Sequence, residues 1–177
     1  MYHSSAENVF CVTEKVRFRV FQVGDKVVHP MHGAGVVESI VQKKVDGVVR
    51  DYYILKLPNR SMVVMIPTDS SEEIGVRPIV DGAQADRVLA AIPNIQVEMT
   101  ANWNHRYREN MERMKSGDLF EVAWVIKGLT ARDHARGLST GERKMLHSAK
   151  QILISEIVLA KSVSYESAEE ALNTALA

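Results

Sequence analysis

Residues 102–110 form a short polar and aromatic stretch whose side chains are suited to binding an anionic partner. Trp103 stands beside His105, Arg106 and Arg108 at the predicted start of a helix. Aromatic rings next to fixed cations can grip nucleic acid, because the ring stacks on bases while the cations hold phosphates. A second interpretation stays open from these residues alone: Trp103 is a core residue and the arginines lie on a solvated helix face.

The charge distribution places this stretch in a basic region. Residues 101–150 hold ten Lys/Arg against six Asp/Glu, although the whole chain has a net charge of zero. The region therefore carries +4 and the remainder of the chain −4. A local basic field is what nucleic-acid binding requires, and residues 101–150 are where we expect it.

Other residue types offer little chemistry. His29 and His32 flank a turn, but no third ligand accompanies them, so we interpret the pair as structural and predict no metal site. The chain lacks a phosphate-binding glycine motif and a nucleophile elbow. Its single cysteine, Cys11, excludes an internal disulfide and a multi-cysteine zinc site. We therefore predict a binding protein, with no enzymatic activity and no cofactor.

Targeting signals are also missing from the sequence. No run of 18 apolar residues occurs, and the N-terminus does not have the pattern of a signal peptide. We expect a cytoplasmic protein without a membrane partner. Residues 1–18 show little periodicity and are interpreted as a flexible leader.

Residues 19–76 have the two-residue period of strands. Turns are predicted at residues 31–35, at Asp46-Gly47 and at residues 58–61. The predicted strands are Lys26–His29, Val36–Val41, Arg50–Leu57 and Met62–Pro67. Short strands with such turns favour a small antiparallel β-barrel. The segment holds seven basic and seven acidic residues, which makes it a poor candidate for gripping phosphates.

Residues 77–177 have a helical period, so the predicted fold class is α+β, with a β module followed by an all-α module. Helices are expected at residues 83–91, after a cap at Thr100 or Asn102, after Asp118, after Ser139 and at residues 164–176, with a loop over 93–101. Ser139 and Glu142 have the spacing of a capping box. Trp103, Tyr107, Met111 and Met114 fall on one helix face.

The sequence resembles the CarD/CdnL family of bacterial transcription regulators, with matching order and spacing from about Phe21 to Leu159. The first module alone is less specific, since transcription-repair coupling factor shares it. The matching motifs are Phe21–Pro30 with His32–Val37; Asn102-Trp103 with Arg106-Tyr107 and Asn110; Ser116–Asp118 with Glu121–Ala123, Val125 and Leu129; and Gly137–Ser139 with Glu142-Arg143, Met145-Leu146 and Ala149.

The resemblance implies a specific division of labour. Residues 19–76 would be a Tudor-like barrel that docks on the RNA polymerase β subunit, with the contacting positions falling on Lys43 and Met65. Residues 77–177 would bind promoter DNA at the upstream edge of the transcription bubble and stabilise the open complex. The family's tryptophan, which wedges into the minor groove largely independently of sequence, falls on Trp103.

The resemblance also assigns the basic contacts, which fall on His105, Arg108 and Arg143, with Arg106 adjacent. At His105 some relatives carry arginine, so a fixed charge becomes one that titrates near neutral pH. Some also carry arginine at both Lys43 and Met65, so the charge is kept at the first position and lost at the second.

The resemblance implies a protein that acts as a monomer and reaches the nucleoid through the polymerase. An alternative function is a scaffold that binds polymerase or repair factors without touching DNA. That alternative predicts a buried Trp103.

Overall fold

A computed structural model describes residues 21–58 and 63–177. The predicted leader at residues 1–18, with Cys11, and most of the predicted turn at residues 58–61 lie outside this part of the chain. The described residues form an antiparallel sheet followed by helices, which confirms the predicted α+β class.

The sheet has five strands in the order β4-β3-β2-β1-β5. Its strands are β1 (Lys26–His29), β2 (Gly33–Val45), β3 (Val48–Lys56), β4 (Val63–Pro67) and β5 (Arg77–Pro78). All neighbouring pairs are antiparallel, and a β-bulge between Val37 and Ser39 shifts the register of β2 against β3. Within the described residues, β4 and β5 are the two edges.

The predicted turn at residues 31–35 is too long, because β2 already begins at Gly33, which pairs with His29. The glycines serve close approach rather than the turn alone. A Cβ on Gly33 would lie 2.4 Å from Ser155 Oγ, and one on Gly35 would lie 2.6 Å from the Lys56 carbonyl oxygen. Gly33 also has a φ of +92°, a conformation that favours glycine.

The helices are α1 (Ser71–Ile74), α2 (Gly82–Ala91), α3 (Trp103–Lys115), α4 (Leu119–Arg136), α5 (Thr140–Lys161) and α6 (Tyr165–Leu176), with a 3-10 turn at Ile92–Asn94. The predicted caps of two helices are confirmed: Asn102 rather than Thr100 caps α3, and Asp118 caps α4. Ser164, predicted as the first residue of the last helix, is instead the cap of α6. The capping box of Ser139 and Glu142 opens α5. No helix of the described chain is long and apolar enough to cross a membrane.

Two hydrophobic cores lie behind these elements. The sheet core contains Phe21, Val27, Tyr53 and Leu55, and the helical core is built mainly from α2, α4, α5 and α6. Helix α5 contributes buried residues along most of its length and also packs against β2. It is therefore the element that connects the sheet to the helices.

Candidate nucleic-acid interface

The Trp103 side chain contacts the protein along one edge and is exposed to solvent along another. Its indole stacks on Tyr107, with the ring centroids 5.3 Å apart and the planes 26° from parallel. The indole Nε1–H donates to Ser139 Oγ at 3.1 Å. Even so, 44% of the residue is exposed to solvent. The ring is thus fixed against the first turn of α5 without being covered.

The local sequence explains this position. The Asn102 side chain accepts a hydrogen bond from the His105 backbone N–H at 3.0 Å, so α3 begins with Trp103 in its first turn. The aromatic pair then crosses α5 at Gly141, where a Cβ would lie 3.6 Å from both rings. A ring at the very end of an amphipathic stripe has core neighbours on one side only.

Arg106 is not on the surface. It is 1% exposed, and its guanidinium donates from Nε to Glu142 Oε1 at 2.8 Å. It also donates to the carbonyl oxygens of Thr100 and Ala101 at 2.7 and 3.0 Å. This placement does not suit the predicted direct contact with DNA, because every phosphate-binding group of the side chain is already engaged inside the protein.

Glu142 is the acceptor around which this end of the molecule is arranged. It accepts from the Ser139 backbone N–H and hydroxyl through Oε2, at 3.1 and 2.9 Å. Burial alone would raise the pKa of Glu142, but the hydrogen bonds from Arg106 and Ser139 outweigh burial and leave this pKa below its ordinary value. Arg132 Nε lies 3.5 Å from Oε1, the same oxygen that accepts from Arg106.

His105 and Arg108 are exposed, but they lie on a different side of α3 from Trp103. At 100° per residue, Trp103 shares its side with the buried Arg106 and Asn110, while His105 and Arg108 project away from it. His105 Nδ1 is 4.0 Å from Glu109 Oε2, so an acidic side chain lies beside this ring. The structure therefore divides the cluster that the sequence placed together.

Helix α5 presents a more continuous basic face. Its two acids, Glu142 and Glu156, are both buried, whereas Arg143, Lys144 and His147 are exposed. Within the described chain, Arg143 and Lys144 make no ion pair. Lys144 was not among the candidate residues predicted from the sequence. The capping box could have indicated it, because it turns Glu142 inward and leaves the neighbouring basic residues exposed.

The two predicted polymerase-contacting residues lie together on the sheet. Lys43 on β2 and Met65 on β4 flank β3, and Lys43 Nζ is 3.3 Å from Met65 Sδ. Both are exposed, as are several apolar residues of the same strands: Ile40, Val45, Val48, Val49 and Val63. Among the strands of the described residues, β4 lies at one edge of the sheet, the position at which another strand can pair.

The rings of His29 and His32 are in contact, with centroids 4.5 Å apart and planes tilted by 47°. Burial, together with the neighbouring charge of His32, lowers the pKa of His29 to about 4. The neutral ring accepts a hydrogen bond from the Met31 N–H at Nδ1, as its place in the turn requires. Across residues 21–58 and 63–177 no group of three or more metal-ligating side chains occurs.

Comparison with known proteins assigns both modules. Residues 21–80 match the CarD-like/TRCF RID domain, and residues 87–173 match the C-terminal domain of CarD. The chain belongs to the CarD-like family. It is 32% identical over 145 residues to "Putative transcription factor YdeB" of Bacillus subtilis (strain 168), covering 82% of this chain and 95% of that protein.

The resemblance inferred from the motifs is therefore confirmed, and the protein is a member of a family of transcription factors. The matched amino-terminal segment is an RNA polymerase interacting domain and contains Lys43 and Met65. The carboxy-terminal match contains Trp103, His105, Arg108 and Arg143.

Proposed function

We propose that this CarD-like protein docks on the RNA polymerase β subunit through β4 and stabilises the open promoter complex with Trp103. The indole would wedge into the minor groove at the upstream edge of the bubble. Arg143 and Lys144 would contact the adjacent phosphates, with His105 and Arg108 as outlying contacts. Arg106 acts from inside, by holding the start of α5 against α3.

The observation that carries this proposal is the half-exposed, hydrogen-bonded indole of Trp103. A wedge must be available to the duplex and must already be ordered, because ordering it on binding would reduce the free energy gained. Tyr107 and Ser139 fix the ring, and 44% of the residue is left for a partner. The exposed cations Arg143 and Lys144 lie near the start of α5, the end of the helix that the indole contacts.

The mechanism needs no recognition of base sequence. Polymerase docking would supply position and a high effective concentration, so a weak grip on DNA suffices. Inserting a side chain between base steps costs a few kcal/mol of stacking, and this cost is smallest where the duplex is already melting. A protein that contacts only the melted state shifts the equilibrium toward that state.

Replacing the wedge tests the DNA half of the proposal. Loss of one base–aromatic contact of about 1.4 kcal/mol corresponds to a tenfold change, so Trp103→Ala should shorten open-complex lifetime roughly tenfold. The measurement is the decay of polymerase–promoter complexes after addition of a competitor. Trp124→Phe, at the chain's other tryptophan, is the matched control and should leave the lifetime unchanged. A folded Trp103→Ala protein with full activity would contradict the wedge.

The docking half rests on an exposed edge strand beside a lysine. A partner strand can pair with β4 through backbone hydrogen bonds, while side chains such as Lys43 and Met65 give specificity. We expect Lys43→Glu to weaken binding to isolated β subunit roughly tenfold, since it reverses a charge at the contact. Lys44→Glu is a stringent control, because neighbouring residues of a strand point to opposite faces. Equal losses for both variants would exclude a specific role for Lys43.

A scaffold that never touches DNA is the competing function. It predicted a buried Trp103, and the half-exposed indole favours the wedge instead. The Trp124→Phe variant leaves Trp103 as the sole tryptophan and so reports on it directly. Quenching of its fluorescence by a forked DNA, weakened by salt, supports contact; an unchanged spectrum in the polymerase complex supports the scaffold.

A further inference from the structure

We infer that the contact between the sheet and helix α5 is a rigid seam that fixes the position of Trp103 relative to the polymerase-docking edge. The inference rests on the proposed function. It adds that the protein holds its polymerase contact and its DNA contact at a fixed distance and orientation. Arg77, Glu156 and Ser155 are its positioning residues. None of them would touch polymerase or DNA.

Arg77 joins three parts of the molecule. It lies on β5, and its guanidinium donates two hydrogen bonds to Glu156 of α5, from Nη1 to Oε1 at 2.6 Å and from Nη2 to Oε2 at 2.9 Å. Its Nε donates to the Gly117 carbonyl oxygen at 2.7 Å, in the turn between α3 and α4. A bidentate pair fixes the relative orientation of its partners as well as their distance.

Glu156 is completely buried and accepts a third hydrogen bond, from the Val80 N–H at 2.9 Å. A buried carboxylate left without its partners is costly, so it strongly disfavours any separation of the sheet from the helix. The seam therefore resists both sliding and opening.

A second set of contacts lies on the other side of the seam. Ser155 Oγ accepts from the Ala34 N–H at 2.9 Å, and Gly33 lies so close to α5 that no Cβ would fit. Lys26 Nζ reaches the Leu159 carbonyl oxygen at 3.0 Å. Strands β1, β2 and β5 thus all contact one segment of α5.

The same helix transmits this position to the wedge. Between Glu142 and Glu156 the sequence of α5 has neither glycine nor proline, the residues that most often bend a helix. Fourteen residues of helix span about 21 Å. Helix α5 is therefore a continuous helix with the seam near one end and the Trp103–Ser139 contact at the other.

Arg77→Ala should release the seam, and Ser155→Ala should loosen it in a protein that keeps the ion pair. The control is Lys161→Ala. Lys161 is also on α5 but lies outside the seam, and this variant loses an ion pair to Asp86 of α2. Circular dichroism establishes that each variant is folded. If Arg77→Ala does not fold, Ser155→Ala is used for the same measurements.

Two measurements are combined for each variant. Spin labels are placed at the exposed positions Glu73 of α1, between β4 and β5, and Glu170 of α6, in a Cys11→Ser background. They report the distance between these two parts of the molecule. Open-complex lifetime reports the action on promoters, and β-subunit affinity is measured in parallel. We expect a single narrow distance for the parent and for Lys161→Ala. For Arg77→Ala we expect a broadened distribution, a lifetime at least fivefold shorter and an unchanged β-subunit affinity.

Two results would overturn the inference: a distribution that stays narrow in both seam variants, or one that broadens while the lifetime is unchanged. Trp103→Ala, measured alongside, separates the two proposals. If it shortens the lifetime and the seam variants do not, only the rigid seam is wrong. If it too has no effect, the wedge itself fails.

Discussion

The two ends of α5 use the same chemistry for different purposes. Near its start, Glu142 is buried against Arg106 of α3, and near its end, Glu156 is buried against Arg77 of β5. The first pair lies beneath Trp103, whereas the second joins the sheet to the helices. Helix α5 thus contacts the proposed wedge, Trp103 of α3, at its start and the sheet near its end.

The pairs differ in how local they are and how well they are covered. Glu142 also belongs to a capping box, so part of its bonding comes from residues three positions away. Glu156 is bound entirely by residues distant in sequence. Both side chains of the Arg106–Glu142 pair are nearly inaccessible, whereas the Arg77 side chain is 26% exposed. Loss of the carboxylate should therefore be felt more strongly at the first end.

Glu142→Ala is expected to have the largest effect on stability. It leaves the buried Arg106 without its partner and also removes half of the capping box, so we expect a loss of about 4 kcal/mol in the free energy of unfolding. Glu142→Gln should recover about 1 kcal/mol, because an amide oxygen can still accept a hydrogen bond. Urea unfolding measures both. Exposed Glu112→Ala is the control, and an equally small loss at Glu142 would contradict its assigned role.

Glu156→Ala should cost less, about 3 kcal/mol, because the partly exposed Arg77 can turn toward water once its partner is gone. The two variants also differ in character. We expect Glu142→Ala to change the fluorescence of Trp103 in the Trp124→Phe background, whereas Glu156→Ala should leave that spectrum unaltered. A reversed order of stabilities would show that exposure of the arginine does not control the cost.

The same distinction explains what the sequence alone could predict. The caps at Asn102, Asp118 and Ser139 were identified because each cap and its partner lie within a few residues of one another. The approximate positions of β1 to β4 and of helices α2 to α6 followed from period and turn chemistry, whereas the short strand β5 was not predicted. Family motifs then identified Trp103 and the polymerase-interacting module, because those motifs span both modules in order.

What could not be predicted depends on contacts between distant segments. Helical periodicity places Arg106 nearer than Arg108 to the side of Trp103, but it does not show that Arg106 is buried. That burial depends on Glu142, which lies 36 residues away in sequence and accepts its hydrogen bond. Gly33 was predicted to lie in a turn because glycine is typical of turns. Its close approach to Ser155 could not be predicted, since Ser155 lies 122 residues away. The strip formed by Arg143 and Lys144 becomes evident only once Glu142 is known to point inward.

Acid should weaken the molecule at two separable places. The pKa of His29 is lowered from 6.5 to about 4, so between these values the unfolded chain binds more protons than the folded one. The free energy of unfolding therefore falls as the pH drops from 6.5 to 4. Glu142, whose pKa is lowered from 4.5, contributes fully above that value and loses its contribution below it.

These two groups lie toward opposite ends of α5, since His29 pairs with Gly33 beside Ser155 and Glu142 lies beneath Trp103. Urea unfolding followed from pH 7 to pH 3 should consequently show two successive decreases in stability. His29→Gln removes the titrating group and should flatten only the first, while Glu142→Gln should flatten only the second. Because each variant serves as the control for the other, a single decrease abolished by either one would show that the two ends titrate together.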